Sequence, residues 1–315
     1  MSAYLIRRIG SSIVVVLGVS ILMFALLHWV YPSPARDVLG TRASQAALLS
    51  WNKANGYDSP FIVQYFRYIG HTLRGNLGWS YSLNQSVGSL LSERAPKSIY
   101  LSGMALILSV LLAVPLGVYQ AVKRNSIGDN AATGLAFVFY SMPSFLLGLI
   151  LIQVFALWQP WLNFEGSQDG TIWGIMGDWH SMTLPILTLT LVTLASYSRY
   201  MRSASIDVLA QDYIKVSRAK GLPEKLVLWR HLLKNASLPM VTLVGLSLPL
   251  LLAGNLITEY LFNFPGLGLL FYESLQKADY NVMLAYTMMG AVLVVIGNLV
   301  ADIALTVADP RIRMA

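Results

Sequence analysis

The 315-residue chain contains no cysteine. That excludes disulfides, thiolate metal sites and thiol catalysis. Charge is scarce as well: 12% of residues are Asp, Glu, Lys or Arg, where a soluble domain carries about 25%. So few charges cannot cover a water-soluble fold of this length. His28, His71, His180 and His231 are widely separated and form no helical ligand pair. Neither H-E-x-x-H nor G-x-S-x-G occurs, which argues against metal-dependent or hydrolytic catalysis. No G-x-x-x-x-G-K-[ST] loop is present to cradle nucleotide phosphates, so the chain is not expected to hydrolyse ATP.

What the chain does have is apolar length, with 56% hydrophobic residues gathered in runs. A helix needs ~20 apolar residues to cross the hydrocarbon layer, and a spanning backbone must satisfy its own hydrogen bonds. Six spans are expected: one within 1–30, then 98–122, 131–157, 179–199, 238–258 and 282–307. The fold class is therefore an all-α membrane protein with six transmembrane helices. The first apolar run follows the basic start "YLIRRIG". It exceeds the ~7–15 residues of a signal core and reads as an uncleaved helix.

The formal net charge is +7, and its placement matters more than its sum. With the N-terminus in the cytoplasm, Arg7, Arg8, Lys123, Arg124, Arg199, Arg202 and the basic residues of 203–237 lie inside, as do Arg311 and Arg313. Most remaining Lys and Arg fall in one long outer loop, which counts for less in the positive-inside rule. Both termini are expected to be cytoplasmic. The outer segment, 31–97, contains Ile62, Phe66, Ile69 and Leu73 at helical spacing, which predicts an amphipathic helix. "GNLGWSYS" after it predicts turn and extended structure. This segment is either a small cap packed on the bundle or a docking surface for an external partner.

The basic stretch 203–237 is the least lipid-like part of the chain. Ile206, Leu209, Tyr213 and Val216 predict one helical face; Leu226, Trp229 and Leu233 predict another. Gly221 supplies a stop between them, and Pro223 with Glu224 a new start. A DNA-binding helix-turn-helix has a similar outline, but tethering by membrane spans at both ends argues against nucleic acid. An amphipathic pair lying on membrane lipid and a docking element for a cytoplasmic protein are the other readings.

The stretch resembles the cytoplasmic "EAA" loop of ATP-binding-cassette importer permeases. Lys215-Val216-Ser217 stands where that loop has Glu-Ala-Ala, Gly221 keeps its place, and Ala236-Ser237-Leu238-Pro239 closes the segment. Asp212-Tyr213-Ile214 followed by Arg218-Ala219-Lys220-Gly221-Leu222 is similar to the form found in the peptide/nickel-permease branch. "GNLGWSYSLNQSV", with Asn76 in place of an Asp, "VPLGVYQAVKRNSIGDN", "YSMPSFLLG", "FNFPGLGLLFYESLQKADY" and the terminal "DPRIR" extend the resemblance along nearly the whole chain. Pro32-Ser33-Pro34 departs from the Pro-Gly-Asp-Pro common after the first span.

The resemblance implies a type I ABC importer permease fold in the plasma membrane, with a coupling helix between the fourth and fifth spans. It implies a second homologous permease, two cytoplasmic ATPase domains that bind ATP and Mg, and an extracytoplasmic solute-binding protein. This chain itself would bind no cofactor or metal. Asp212, Arg218, Ala219, Lys220, Gly221 and Leu222 would form the ATPase contact. Di- or oligopeptides are the expected cargo, with nickel chelates or another small solute as the alternative.

Polar groups inside spans are costly and face a bundle interior or a water path. Asn255, Glu259, Asn298 and Asp302 are candidates for the pathway, and Asp302 is also expected to pair with Arg199 or Arg202. Pro115, Pro143, Pro185 and Pro249 are candidate helix breaks, with Pro143 in "YSMPSF" foremost. An ion-coupled carrier is a competing class, but it would show internal repeats and coupling-ion ligands that are not evident here. A membrane anchor without a pathway is a third.

Overall fold

The computed structural model describes residues 2–308 except Pro32 and Thr41. Side chains of 2–9, Asp37, 248–250, 252–253 and 301–308 are likewise outside the described set. The candidates Arg7, Arg8, Pro249 and Asp302 therefore have no described side chain, and the terminal 309–313 motif lies outside the described residues.

The chain is mostly helical. Helix α1 (Ser2–Val30) is followed by α2 (Ala35–Leu39), α3 (Gln45–Asn55), α4 (Phe61–Leu73) and a small hairpin of β1 (Trp79–Ser80) with β2 (Gln85–Ser86). Helix α5 (Val87–Val122) leads to α6 (Ile127–Ser141), α7 (Ser144–Ile152) with a π-helical end at Gln153–Trp158, α8 (Ile172–Gly177) and α9 (Trp179–Leu209). Then come α10 (Asp212–Ala219), α11 (Glu224–Leu226), a π-helical stretch Val227–Leu233 and α12 (Lys234–Ala236). Helices α13 (Leu238–Ala253), α14 (Leu256–Leu261), α15 (Leu267–Gln276) and α16 (Tyr280–Ala308) complete the order.

Among the described residues, Gly10–Val30, Val87–Val122, Trp179–Leu209 and Tyr280–Val300 are long and apolar enough to cross a membrane. Helices α6 and α7, with the π end, form a fifth candidate bent by 105°. The expected third span, 131–157, is thus two helices. Met142 is extended (φ −79°, ψ 129°), as a residue before proline prefers, and Pro143 caps α7 instead of continuing α6. Pro115 and Pro185, by contrast, lie inside unbroken helices. The helix that holds the second expected span starts at Val87, ahead of 98, because α5 continues through polar residues to the hairpin. The fifth, expected over 238–258, stops at Ala253 where Gly254 turns left-handed (φ 80°). Its described apolar part, Leu238–Ser247, is shorter than the other candidates.

The chain divides into two compact units. In the first, comprising Met1–Ser98, Leu252–Leu256 and Pro265–Val295, Phe24 and Leu27 of α1 pack on Tyr65 of α4 and Met283 and Leu284 of α16. The Ser20 and Tyr65 hydroxyls pair at 2.7 Å in that core. Val87, Leu90 and Leu91 meet Leu267, Leu270 and Val282 in a second cluster. The hairpin is pinned to the start of α16: Ser80 and Ser82 donate to Asp279 Oδ2 at 2.5 and 2.7 Å, and Asn281 donates to the Trp79 carbonyl at 2.8 Å. Two motifs 200 residues apart in the chain, "WSYS" and "KADY", are therefore one structural feature.

Helix α4 forms where its periodicity predicts, but of the expected face only Ile69 packs on the core. Ile62, Phe66 and Leu73 are exposed, while Gln64 and Tyr65 are buried. Gln64 Nε2 donates to the carbonyls of Tyr57 and Ser59, and Tyr65 reaches Ser20. Those hydrogen bonds, together with packing of Phe61, Tyr65, Tyr68 and Ile69 on the Phe24 cluster, go with the rotation of this helix.

In the second unit, comprising Ile99–Leu251, Ile257–Phe264 and Ile296–Ala315, α9 is the central post. Tyr197 and Met201 pack against Leu106 and Ala113 of α5 and against Leu232, Ala236 and Met240. Helices α6 and α7 lie along other faces of α9. Gly117 of α5 permits the close approach: a Cβ there would lie 2.6 Å from Met201 Cβ and 2.9 Å from the Arg202 amide nitrogen.

Candidate functional site

The segment between α9 and α13 is built from several short pieces. Helix α9 runs unbroken to Leu209, so residues expected in a separate first helix belong to a membrane-capable one. A turn at Ala210 and Gln211 resets the helical phase. Helix α10 then buries Ile214 and Ser217, leaving Tyr213 and Val216 exposed, which corrects the predicted face.

Helix α10 ends in a Schellman turn: Gly221 N–H donates to the Arg218 carbonyl at 2.9 Å and Leu222 N–H to the Ser217 carbonyl at 3.4 Å. Gly221 has φ 76°, the left-handed conformation that costs other residues most, and the space around its Cα is open. Pro223 stands just before α11 as its cap, not inside it. Arg218 closes the turn by donating to both oxygens of Glu224, at 3.1 and 2.6 Å. That hydrogen bond raises the Arg218 pKa. The Lys215 ammonium, 2.9 Å from Asp212, holds that carboxyl below the usual carboxylate range.

Asp212, Arg218, Ala219, Lys220 and Gly221 are exposed, and Leu222 is half-buried. Arg218, Ala219, Lys220, Gly221 and Leu222 thus lie in or beside the turn, whereas Asp212 stands at the opposite end of α10. The next stretch buries Val227 and Leu232, five residues apart, and exposes Trp229. The expected Leu226–Trp229–Leu233 face assumed α-helical spacing; a π-helix brings i and i+5 together instead.

Between α6 and α9 lies a buried ion pair that sequence reading missed. Asp129, in the first turn of α6, is fully buried and accepts from Arg202 Nε and Nη2 of α9, both at 2.8 Å. The Asn125 amide and Thr133 hydroxyl also donate to it, and Gln120 Nε2 of α5 donates to Thr133. Arg202 therefore has Asp129 as its partner, where Asp302 was one expectation. The signal available in the sequence was a Ser126-x-x-Asp129 cap ahead of an apolar run: Ser126 Oγ accepts the Asp129 amide. Arg199, the other expected partner, lies over the rings of Phe137 and Tyr140 at 4.5 and 4.9 Å. A cavity of about 330 Å³ opens beside it, lined by Tyr140, Ser196, Arg199, Tyr200 and Ser203.

The intramembrane candidates lie on different elements. Pro143 sits at the α6–α7 bend. Asn255 lies in the break after α13, Glu259 is fully buried in α14, and Asn298 is half-buried in α16. No cluster of three metal-capable side chains occurs among the described residues.

Residues 113–314 match the family described as binding-protein-dependent transport system inner membrane component, and residues 1–102 match the N-terminal part of such membrane components. The chain belongs to this family. This transport component is 37% identical to the oligopeptide transport system permease protein AppB of Bacillus subtilis, over 99% of its own length and 100% of the relative's. It is 34% identical to the probable peptide ABC transporter permease protein y4tP of Sinorhizobium fredii, covering 99% and 100% of the two chains. It is 33% identical to the glutathione transport system permease protein GsiC of Salmonella paratyphi A, covering 98% of each. It is a multi-pass inner membrane transport subunit.

Proposed function

We propose that this component is the permease of an ATP-driven importer for di- or oligopeptides. The structural observation that supports the coupling is the exposed α10–Gly221 turn, set between the membrane-capable α9 and the apolar α13. It is short, closed by its own hydrogen bonds and not buried by the rest of its unit. Those are the properties of an element that receives force from another protein.

In this reading Asp212, Arg218, Ala219, Lys220, Gly221 and Leu222 seat in a groove on a cytoplasmic ATPase. ATP and Mg bind to two such ATPases, and their closure pushes α10. The push passes into α9 directly and into α13 through the Val227–Ala236 segment. A second homologous permease completes the pathway, which alternates between outward-open and inward-open states. An extracytoplasmic solute-binding protein delivers the peptide, and the exposed Ile62, Phe66 and Leu73 of α4 suit its docking. Six crossings are proposed: α1, α5, the bent α6–α7 pair, α9, α13 and α16, with both termini inside, 31–97 outside and 98–315 as the permease core. Pro143, Asn255, Glu259, Asn298 and Asp302 are assigned to the route or its walls.

The peptide assignment rests on the names of the relatives, two of which specify peptides and one glutathione. The test is uptake by proteoliposomes holding both permeases and both ATPases. ATP- and binding-protein-dependent accumulation of labelled di- or tripeptides is expected. Uptake of a nickel chelate but no peptide would replace the cargo, and uptake driven by an ion gradient without ATP would replace the mechanism.

A further inference from the structure

The outer face of α5 and the segment after α11 enclose a groove of about 650 Å³. One wall is Val110, Leu111, Val114, Pro115 and Val118; the other is Leu228 and Leu233. Both walls end the same way. Tyr119 precedes Lys123 by one helical turn on α5, and Lys225 precedes Trp229 by four residues on the opposite wall. All four side chains line the groove. Both lysines are exposed, and neither makes an ion pair with a carboxylate among the described residues. Glu224, beside Lys225 in the chain, is taken by Arg218. No Asp or Glu lines the groove.

We infer that this groove is a binding site for an acidic phospholipid, its acyl chain along α5 and its phosphate between Lys123 and Lys225. Length agrees: the stretch from Val110 to Val122 rises roughly 18 Å at ~1.5 Å per residue, about that of an extended acyl chain. Chemistry agrees at both ends. The trough is apolar, as a lipid tail requires. Amphipathic Tyr and Trp rings favour the headgroup level, where two lysines attract an anionic headgroup. A zwitterionic headgroup would bring a quaternary amine of the same sign towards the two lysines, which an acidic headgroup lacks. The bound lipid joins α5 to the chain leaving the α10–Gly221 turn, so headgroup charge bears on how firmly that turn is held.

The test is native mass spectrometry of the assembled transporter, purified after exchange into equal phosphatidylglycerol and phosphatidylcholine. The wild type is expected to retain phosphatidylglycerol preferentially. Lys123→Gln/Lys225→Gln should lose that preference by about fivefold per lysine, the worth of one basic residue near an anionic surface. Lys123→Arg/Lys225→Arg should keep it. A photo-reactive side chain at Leu111 in the otherwise unaltered complex gives a second readout that does not depend on these variants, and lipid adducts there support the site. Equal retention of phosphatidylglycerol by wild type and the Gln variant would overturn the proposal. So would adducts at Leu111 confined to a helix of the second permease.

Discussion

At the scale of single residues, Asp129 and Arg202 dominate the account. A fully buried carboxylate makes two charge-assisted bonds to a guanidinium that is itself largely covered, its side chain 26% exposed. Removing one partner leaves an uncompensated buried charge, which costs about 3–5 kcal/mol. Asp129→Asn should therefore lower the thermal midpoint of the purified subunit markedly. Adding Arg202→Met should recover part of that loss, because neither buried charge remains. Additive losses in the double mutant would show that the two groups do not interact. Glu224 and Arg218 pair with similar geometry but are exposed, and such a pair contributes ~0–1 kcal/mol. Its disruption should act on the shape of the turn more than on stability.

At the scale of elements, two breaks bear on the proposed mechanism. The first is Gly221. A β-branched residue in its left-handed conformation is strained by ~1–2 kcal/mol, whereas Asn reaches that conformation with less cost. Gly221→Asn should keep substrate uptake, and Gly221→Val should lose it while both variants insert. Equal uptake by the two would show that the turn's shape is immaterial. Gly221→Asp, which adds charge without the same backbone strain, should reduce uptake and ATPase coupling with insertion intact. The second break is the 105° bend at Pro143. Pro143→Ala restores a backbone donor and removes the restraint on Met142, allowing α6 and α7 to join. Uptake should fall with expression unchanged; unaltered uptake would make the bend a packing detail.

These elements also show what was legible beforehand. Apolar runs, Gly221 and Pro143 act through local sterics and can be seen in a linear sequence. Helix rotation cannot, because it depends on remote partners. Tyr65 turns inward for Ser20, and Val227 with Leu232 follows a π spacing that an α-helical count misassigns. The Asp129–Arg202 pair was hidden for the same reason: its members lie 73 positions apart, and only packing of α6 on α9 joins them. The Gly turn of the candidate site was readable, whereas the buried face of α10, Ile214 and Ser217, was not.

At the scale of the whole molecule, the account assigns the turn after α10 to the cytoplasm and the α4–hairpin segment to the outside. The lack of cysteine makes this directly testable. Single cysteines at Lys220 and at Asn76, both exposed, can be labelled with an impermeant maleimide in intact cells. Asn76→Cys should react before lysis and Lys220→Cys only after it. The reverse pattern would invert the topology and with it the direction of coupling.

The most direct measurement places a photo-reactive side chain at Ala219 in the assembled transporter and identifies its adducts. An adduct with an ATPase subunit, changing in yield on ATP binding, is the predicted result. Adducts with phospholipid alone, in every nucleotide state, would contradict the claim that force enters the permease through this turn.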